Sequence, residues 1–174
     1  MRKLLIACGI LLLSAIPTAA QSEPSAEVFA GYSFLSTDTK DVLGERKAFH
    51  GFGFSVAGNF GKSFGLVGDF SYNRASILGE GINAFTYVFG PQVSSRGKAA
   101  TGFGHVLLGG TTLKVAGVSQ SGFTLAVGGG VDLNAGKHFA VRLAQVDYLP
   151  SHVGGGWSHN FRYEAGIVFK IGGK

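Results

Sequence analysis

The tripeptide Gly61-Lys62-Ser63 has the residues that close a phosphate-binding loop, in which backbone amides and a lysine cradle an oxyanion. That motif also needs a glycine five positions earlier and a helix after it, but position 56 is Val and no helical period follows. The tripeptide reads as a tight turn. "GFGFSV" (51–56) and "GFGHVL" (102–107) begin like a dinucleotide fingerprint, yet both lack its third glycine and the helix it opens.

His152 and His159 flank "VGGGWS", but two histidines make an incomplete metal site and no Asp, Glu or Cys lies within 150–158. No metal and no cofactor is expected. Acyl chemistry needs a nucleophile, a base within hydrogen-bond reach and an orienting group. A set drawn from distant segments, such as Ser119, His152 and Asp38, is one the sequence leaves open. Seven further charged residues, Glu27, Asp69, Asp132, Arg142, Arg162, Glu164 and Lys170, stand at alternating positions among apolar ones. Their meaning depends on the elements that carry them.

Those elements are strands. "NFRYEAGIVFKIG" (160–172) places Phe161, Tyr163, Ala165, Ile167, Phe169 and Ile171 on one parity and Arg162, Glu164, Gly166, Val168 and Lys170 on the other. Successive side chains leave a pleated backbone on opposite sides, so this is a strand with two unlike faces. The same reading predicts eight strands, at 26–36, 48–60, 64–74, 82–94, 99–113, 121–134, 138–149 and 159–171. Tight turns at 61–63, 95–98 and 135–137 alternate with longer connections at 37–47, 75–81, 114–120 and 150–158. Strands of this length suit a bilayer, which a tilted strand crosses in roughly 9 to 11 residues.

One face is bulky and apolar, as in Phe52, Phe54 and Val56 or Phe85, Tyr87 and Phe89; the other is small and polar, as in Ser55, Ala57 and Asn59. The interior of an eight-stranded barrel is just wide enough to be filled by side chains. A full set of Phe and Tyr does not fit there, so the bulky face points outward, and an apolar exterior of that size belongs in lipid. The expected fold is an all-β, eight-stranded antiparallel up-and-down transmembrane barrel, with the seven charged residues in its lumen. A three-residue turn at 135–137 would pair Asp132 with Ala140 and Gly130 with Arg142, and one at 61–63 would pair Ser55 with Asp69. Asp147 and Arg142 have opposite parity, which requires a bulge or a strand end between them. Glu27 and Lys170 are expected at similar depth on strands one and eight, within reach of an ion pair, direct or through a lumen neighbour, that helps to latch the seam.

The ends and composition agree. Arg2 and Lys3 precede an apolar run from Leu4 to Leu13 and a small-residue end at Thr18, Ala19 and Ala20. The run is shorter than the roughly 20 apolar residues of a spanning helix, so residues 1–20 read as a cleaved export signal and 21–174 as one barrel domain. Cys8, the only cysteine, leaves with the signal, so no disulfide holds the mature chain. Without Arg2 and Lys3 the 15 basic residues become 13 against 10 acidic, a net charge of +3 with no basic run, which excludes nucleic acid as a partner. Glycine, 29 of 174 residues, is abundant but not periodic, as in a β protein with tight turns and close strand approaches.

On "AEVFAGYSFL" (26–35), "YVFGPQVSSRGKAATGFGHVLLGG" (87–110) and "AVRLAQVDYLP" (140–150) with the last strand, the mature chain resembles the small eight-stranded outer-membrane barrels of the outer-membrane protein A and opacity-protein type. The resemblance implies residence in the bacterial outer membrane, contact with membrane lipid, insertion by the outer-membrane assembly machinery, a monomer, and an envelope-structural or surface-interaction role. Any surface ligand would be met by 37–47, 75–81, 114–120 and 150–158. Such barrels commonly end on an aromatic residue, whereas here Phe169 is followed by Lys170, Ile171, Gly172, Gly173 and Lys174. Barrels that deacylate lipid share a His-x-Ser pair, which none of the five histidines supplies, so no catalytic residue is assigned. The alternatives are a lipid acyl hydrolase or transferase on the same barrel, a narrow pore, and a soluble exported barrel of lipocalin type.

Overall fold

The computed structural model describes residues 24–38, 46–77, 80–115, 117–153 and 155–172; the expected signal at 1–20 lies outside them. Eight strands follow one another: β1 (Ala26–Asp38), β2 (Arg46–Phe60), β3 (Phe64–Ile77), β4 (Glu80–Arg96), β5 (Ala100–Val115), β6 (Val118–Asn134), β7 (Phe139–Val153) and β8 (Gly156–Ile171). Each pairs antiparallel with the next, and β8 returns to β1 to close the barrel. The closing register runs from Ala26 opposite Ile171 to Ser36 opposite Phe161, so no edge is left for another chain. Midway along that seam Gly31 faces Gly166, and a Cβ on either would strike the backbone of the opposite strand. The two glycines let β1 and β8 approach.

The faces divide as the alternation requires. Ile167 is 50 % exposed and Phe52 61 %, while Glu164 and Val88 are fully buried. Ser55 stands opposite Asp69, as the turn at 61–63 dictates, with Gly61 in the left-handed region at φ 78°. Pro91 faces outward on β4 without shifting the register, since Phe89 pairs with Leu108 and Gln92 with His105. The missing donor therefore costs the ladder locally.

Two expectations about the connections need correction. Residues 75–81, 114–120 and 150–158 are mostly strand: β3, β5 and β7 run on to Ile77, Val115 and Val153, and β4, β6 and β8 begin at Glu80, Val118 and Gly156. Their polar, Gly-containing sequences looked like loops, but a strand pair beyond the bilayer needs only its backbone ladder, and Gly117 and Gly155, at φ 87° and 88°, turn the chain at once. Of the four connections at that end, 39–45 is the longer one, and it lies outside the described residues. Five residues, 135–139, rather than three separate the paired ends Asn134 and Ala140, so Asp132 faces Arg142, and Asn134, not Asp132, faces Ala140; past the irregularity at Val131/Asp132, Gly130 faces Gln145 rather than Arg142. The bulge required between Arg142 and Asp147 is present, with the β7–β8 register shifting between Arg142 and Gln145.

Not every aromatic is outside. Phe29, Phe49 and Phe103 are buried in the lumen. Phe103 fits because it faces Gly130, where a Cβ would stand 2.7 Å from the Phe103 ring. Phe103 thus enters the narrow lumen where its partner on β6 supplies no side chain.

Candidate functional site

The interior of the barrel is a column of polar and charged side chains, positioned by the inward parity of all eight strands. At its centre lies Arg162 on β8, almost wholly buried. Its Nη1 is 2.6 Å from Asp69 Oδ1 on β3, its Nη2 2.7 Å from Asp147 Oδ2 on β7, and Glu164 Oε1 is 3.7 Å away. Arg162 also donates to Ser71 Oγ at 3.1 Å. The planar guanidinium fork is suited to this role because it bonds two carboxylates at once. Asp147 additionally accepts from His105 Nε2 at 2.7 Å and from Gln145 Nε2 at 2.8 Å.

Gln145 carries the network towards the termini. Its Oε1 accepts from Arg142 Nη1 at 2.6 Å, and Arg142 in turn grips Asp132 with two hydrogen bonds. The Arg142 guanidinium lies between the Phe29 and Phe103 rings, 4.4 and 4.3 Å from their centroids. Cation–π attraction on both faces helps to offset its desolvation. Towards the other end a hydroxyl chain crosses four strands, Thr86 to Thr111 at 3.0 Å, Thr111 to Thr124 at 2.8 Å and Thr124 to Ser151 at 3.0 Å. Beyond it, Leu35, Phe49 and Ala84 close the lumen with an apolar layer.

Glu27 and Lys170 face each other across the β1–β8 seam, at the depth and on the faces foreseen. Their charges go elsewhere: Glu27 Oε2 is 3.2 Å from Arg96 Nη2 on β4, and Lys170 Nζ donates to Asn134 Oδ1 on β6. In a narrow lumen, strands across the barrel compete with the neighbour in register. His105, Gln145, Arg96 and Asp147 belong to the network but are absent from the seven sequence candidates. Parity was their signal: His105 shares the inward parity of Phe103 on β5, and Asp147 lies past the bulge that reverses the parity of β7.

The residues considered for chemistry are not assembled. His152 faces Phe123 and Trp157, its ring 5.2 Å from the indole, and His159 stacks on Tyr148, so the two do not converge. Asp38 is 3.5 Å from Arg46, and Ser119 faces Lys114. Gly61-Lys62-Ser63 is a turn whose Lys62 carbonyl accepts from Arg96. Among the described residues there is no group of three or more His, Cys, Asp or Glu side chains able to hold a metal.

A closed eight-stranded barrel with an apolar outer band and a polar, ion-paired interior is an integral membrane barrel of the bacterial outer-membrane type. Its fold matches Ail, the attachment invasion locus protein of Yersinia pestis, solved with the heparin analogue sucrose octasulfate, at 19% identity and a TM-score of 0.59 over 84% of this chain and 99% of that one. It also matches Neisserial surface protein A, at 11% identity and a TM-score of 0.66 over 84% and 97%, and OprG of Pseudomonas aeruginosa, at 13% and 0.57 over 87% and 98%. No protein-family model and no curated protein matches the chain.

Proposed function

We propose that this outer-membrane barrel is a non-enzymatic envelope protein that meets its partners at its outer rim and not through its lumen. The observation that carries this reading is the filled interior: Arg162, Arg142 and their carboxylates are joined from β3 to β8, and the enclosed space beyond them, between Leu35 and Asn160, is only about 30 Å³. A lumen so occupied supports neither a wide pore nor a substrate pocket. The rim is the opposite: Val118 and Trp157 are exposed at the tips of the β5–β6 and β7–β8 hairpins, and the strand pairs hold them on a stiff support. Every strand is paired within one chain, which supports a monomer inserted by the outer-membrane assembly machinery.

Cysteine labelling tests this topology, because the expected mature chain has no thiol. Val118→Cys should react with a membrane-impermeant maleimide on intact cells, and Lys98→Cys only after the outer membrane is opened. Since Ail was solved with a heparin analogue, retention of expressing cells on immobilised heparin is the first binding assay. Equal retention of cells with and without the protein would remove that ligand class. Proteoliposomes should show neither acyl release from lipid nor leakage of small solutes. Turnover abolished by His152→Ala would overturn the non-enzyme reading, and leakage would establish a pore.

A further inference from the structure

The end of the barrel that carries both described termini holds a separate site, independent of the surface role. A cavity of about 410 Å³ opens between the β4–β5 and β6–β7 turns, and its lining includes Arg96, Lys98, Lys137 and Lys170 but no acidic side chain. Arg96 shares Glu27, while Lys170 is held by the neutral amide of Asn134. The Lys98 and Lys137 side chains are exposed, and no hydrogen bond or ion pair joins their ammonium groups to the described residues. Three ammonium groups therefore line one cavity, with no acidic side chain among the described residues that line it.

The frame beneath them is braced. Asn134 donates from Nδ2 to the carbonyls of Gly97 at 2.9 Å and Lys98 at 3.2 Å, and its backbone N–H donates to Ala99 at 2.9 Å. One residue on β6 thus ties down the β4–β5 turn and orients Lys170. Cations held together in a concave site focus a positive potential, and the group that best relieves it is a compact multivalent oxyanion.

We propose that this mouth binds a phosphate-bearing anion, either a soluble phosphate compound or the headgroup of a phospholipid. A carboxylate brings one charge and two oxygens to a site that offers three unneutralised ammonium groups, whereas a phosphate brings more of both. The mouth would then be a periplasmic anchoring point, at the end of the barrel opposite the surface rim.

The experiment titrates the refolded mature barrel, in zwitterionic detergent at low salt, with inorganic pyrophosphate by calorimetry. Saturable binding is expected, weakened about tenfold or more in the Lys98→Gln/Lys137→Gln double variant and unchanged in Lys114→Gln at the far end of β5. Both altered lysines of the double variant are exposed on turns, so it should fold like the parent. The titration is then repeated in phosphatidylcholine nanodiscs with and without phosphatidylglycerol. Loss of pyrophosphate binding in the anionic discs would assign the site to a lipid headgroup, and unchanged binding to a soluble phosphate; both support the proposal. No saturable binding at millimolar pyrophosphate, or equal affinity in parent and double variant, would overturn it.

Discussion

Arg142 and Asp132 stand directly opposite each other on β7 and β6, and the guanidinium Nε and Nη2 donate to the two carboxylate oxygens at 2.8 and 3.1 Å. Both are buried, with Phe29 and Phe103 closing over the pair. Arg142→Met should destabilise the barrel by about 3–5 kcal/mol, because it leaves the Asp132 carboxylate buried without its counter-charge. Adding Asp132→Leu should recover most of the loss. Urea unfolding in lipid vesicles measures both, and strictly additive losses would show that the pair is not coupled.

The central cluster carries unequal carboxylates. Asp147 bonds Arg162, His105 and Gln145, whereas neither Glu164 oxygen has a hydrogen-bond partner and its distance to Arg162 is 3.7 Å. Asp147→Asn should therefore cost about 3 kcal/mol or more, while Glu164→Gln should be near neutral, since it removes a charge that repels Asp69 and Asp147. The same unfolding assay would refute this ranking if Glu164→Gln proved the worse variant.

The lipid-facing band predicts a different sensitivity. Phe54 and Ile167 point outward near mid-strand, and Arg at either site should cost about 2–4 kcal/mol in a bilayer. Gly31→Ala tests the seam instead, because the new methyl meets the β8 backbone at Ala165 and Gly166. It should slow folding into vesicles while leaving the outer face unchanged. Arg variants as stable as the parent would mean that this face does not contact lipid.

Strand number, closure and the outward face of Phe54, Tyr163 and Ile167 were legible because alternation is a local property that eight strands repeat. Partner choice in the lumen was not. The Asp132 register depended on two extra residues, His138 and Phe139, between the paired ends Asn134 and Ala140, which moved its partner from Ala140 to Arg142. His105 and Gln145 carried no charge signature that singled them out, and their roles arise from strands brought together by closure and by the β7 bulge. The outer hairpins were not legible as strands because their residues are polar and Gly-rich, although Ser119, Gln120 and Ser158 pair in strands like any other residue.

The seam offers a prediction in which the register and the contacts disagree. Glu27 lies opposite Lys170, yet its carboxylate is bonded to Arg96, and Arg96 is fixed on its other side by the Lys62 carbonyl at 2.7 Å. If register neighbours dominated, Glu27→Lys would be rescued by Lys170→Glu. The observed pairing predicts instead that Arg96→Glu restores stability and Lys170→Glu does not, since Lys170 is engaged with Asn134. Both residues of the Glu27–Arg96 pair are largely but not wholly buried, so placing a second cation beside Arg96 should cost about 1–3 kcal/mol. The charge-exchanged Glu27→Lys/Arg96→Glu variant should regain at least half of that. Folding yield and urea midpoint of the parent, Glu27→Lys and the two double variants decide between the pairings. Rescue by Lys170→Glu alone would show that the lumen re-pairs along the seam, so that the link from β1 to β4 across the mouth is not what holds Glu27.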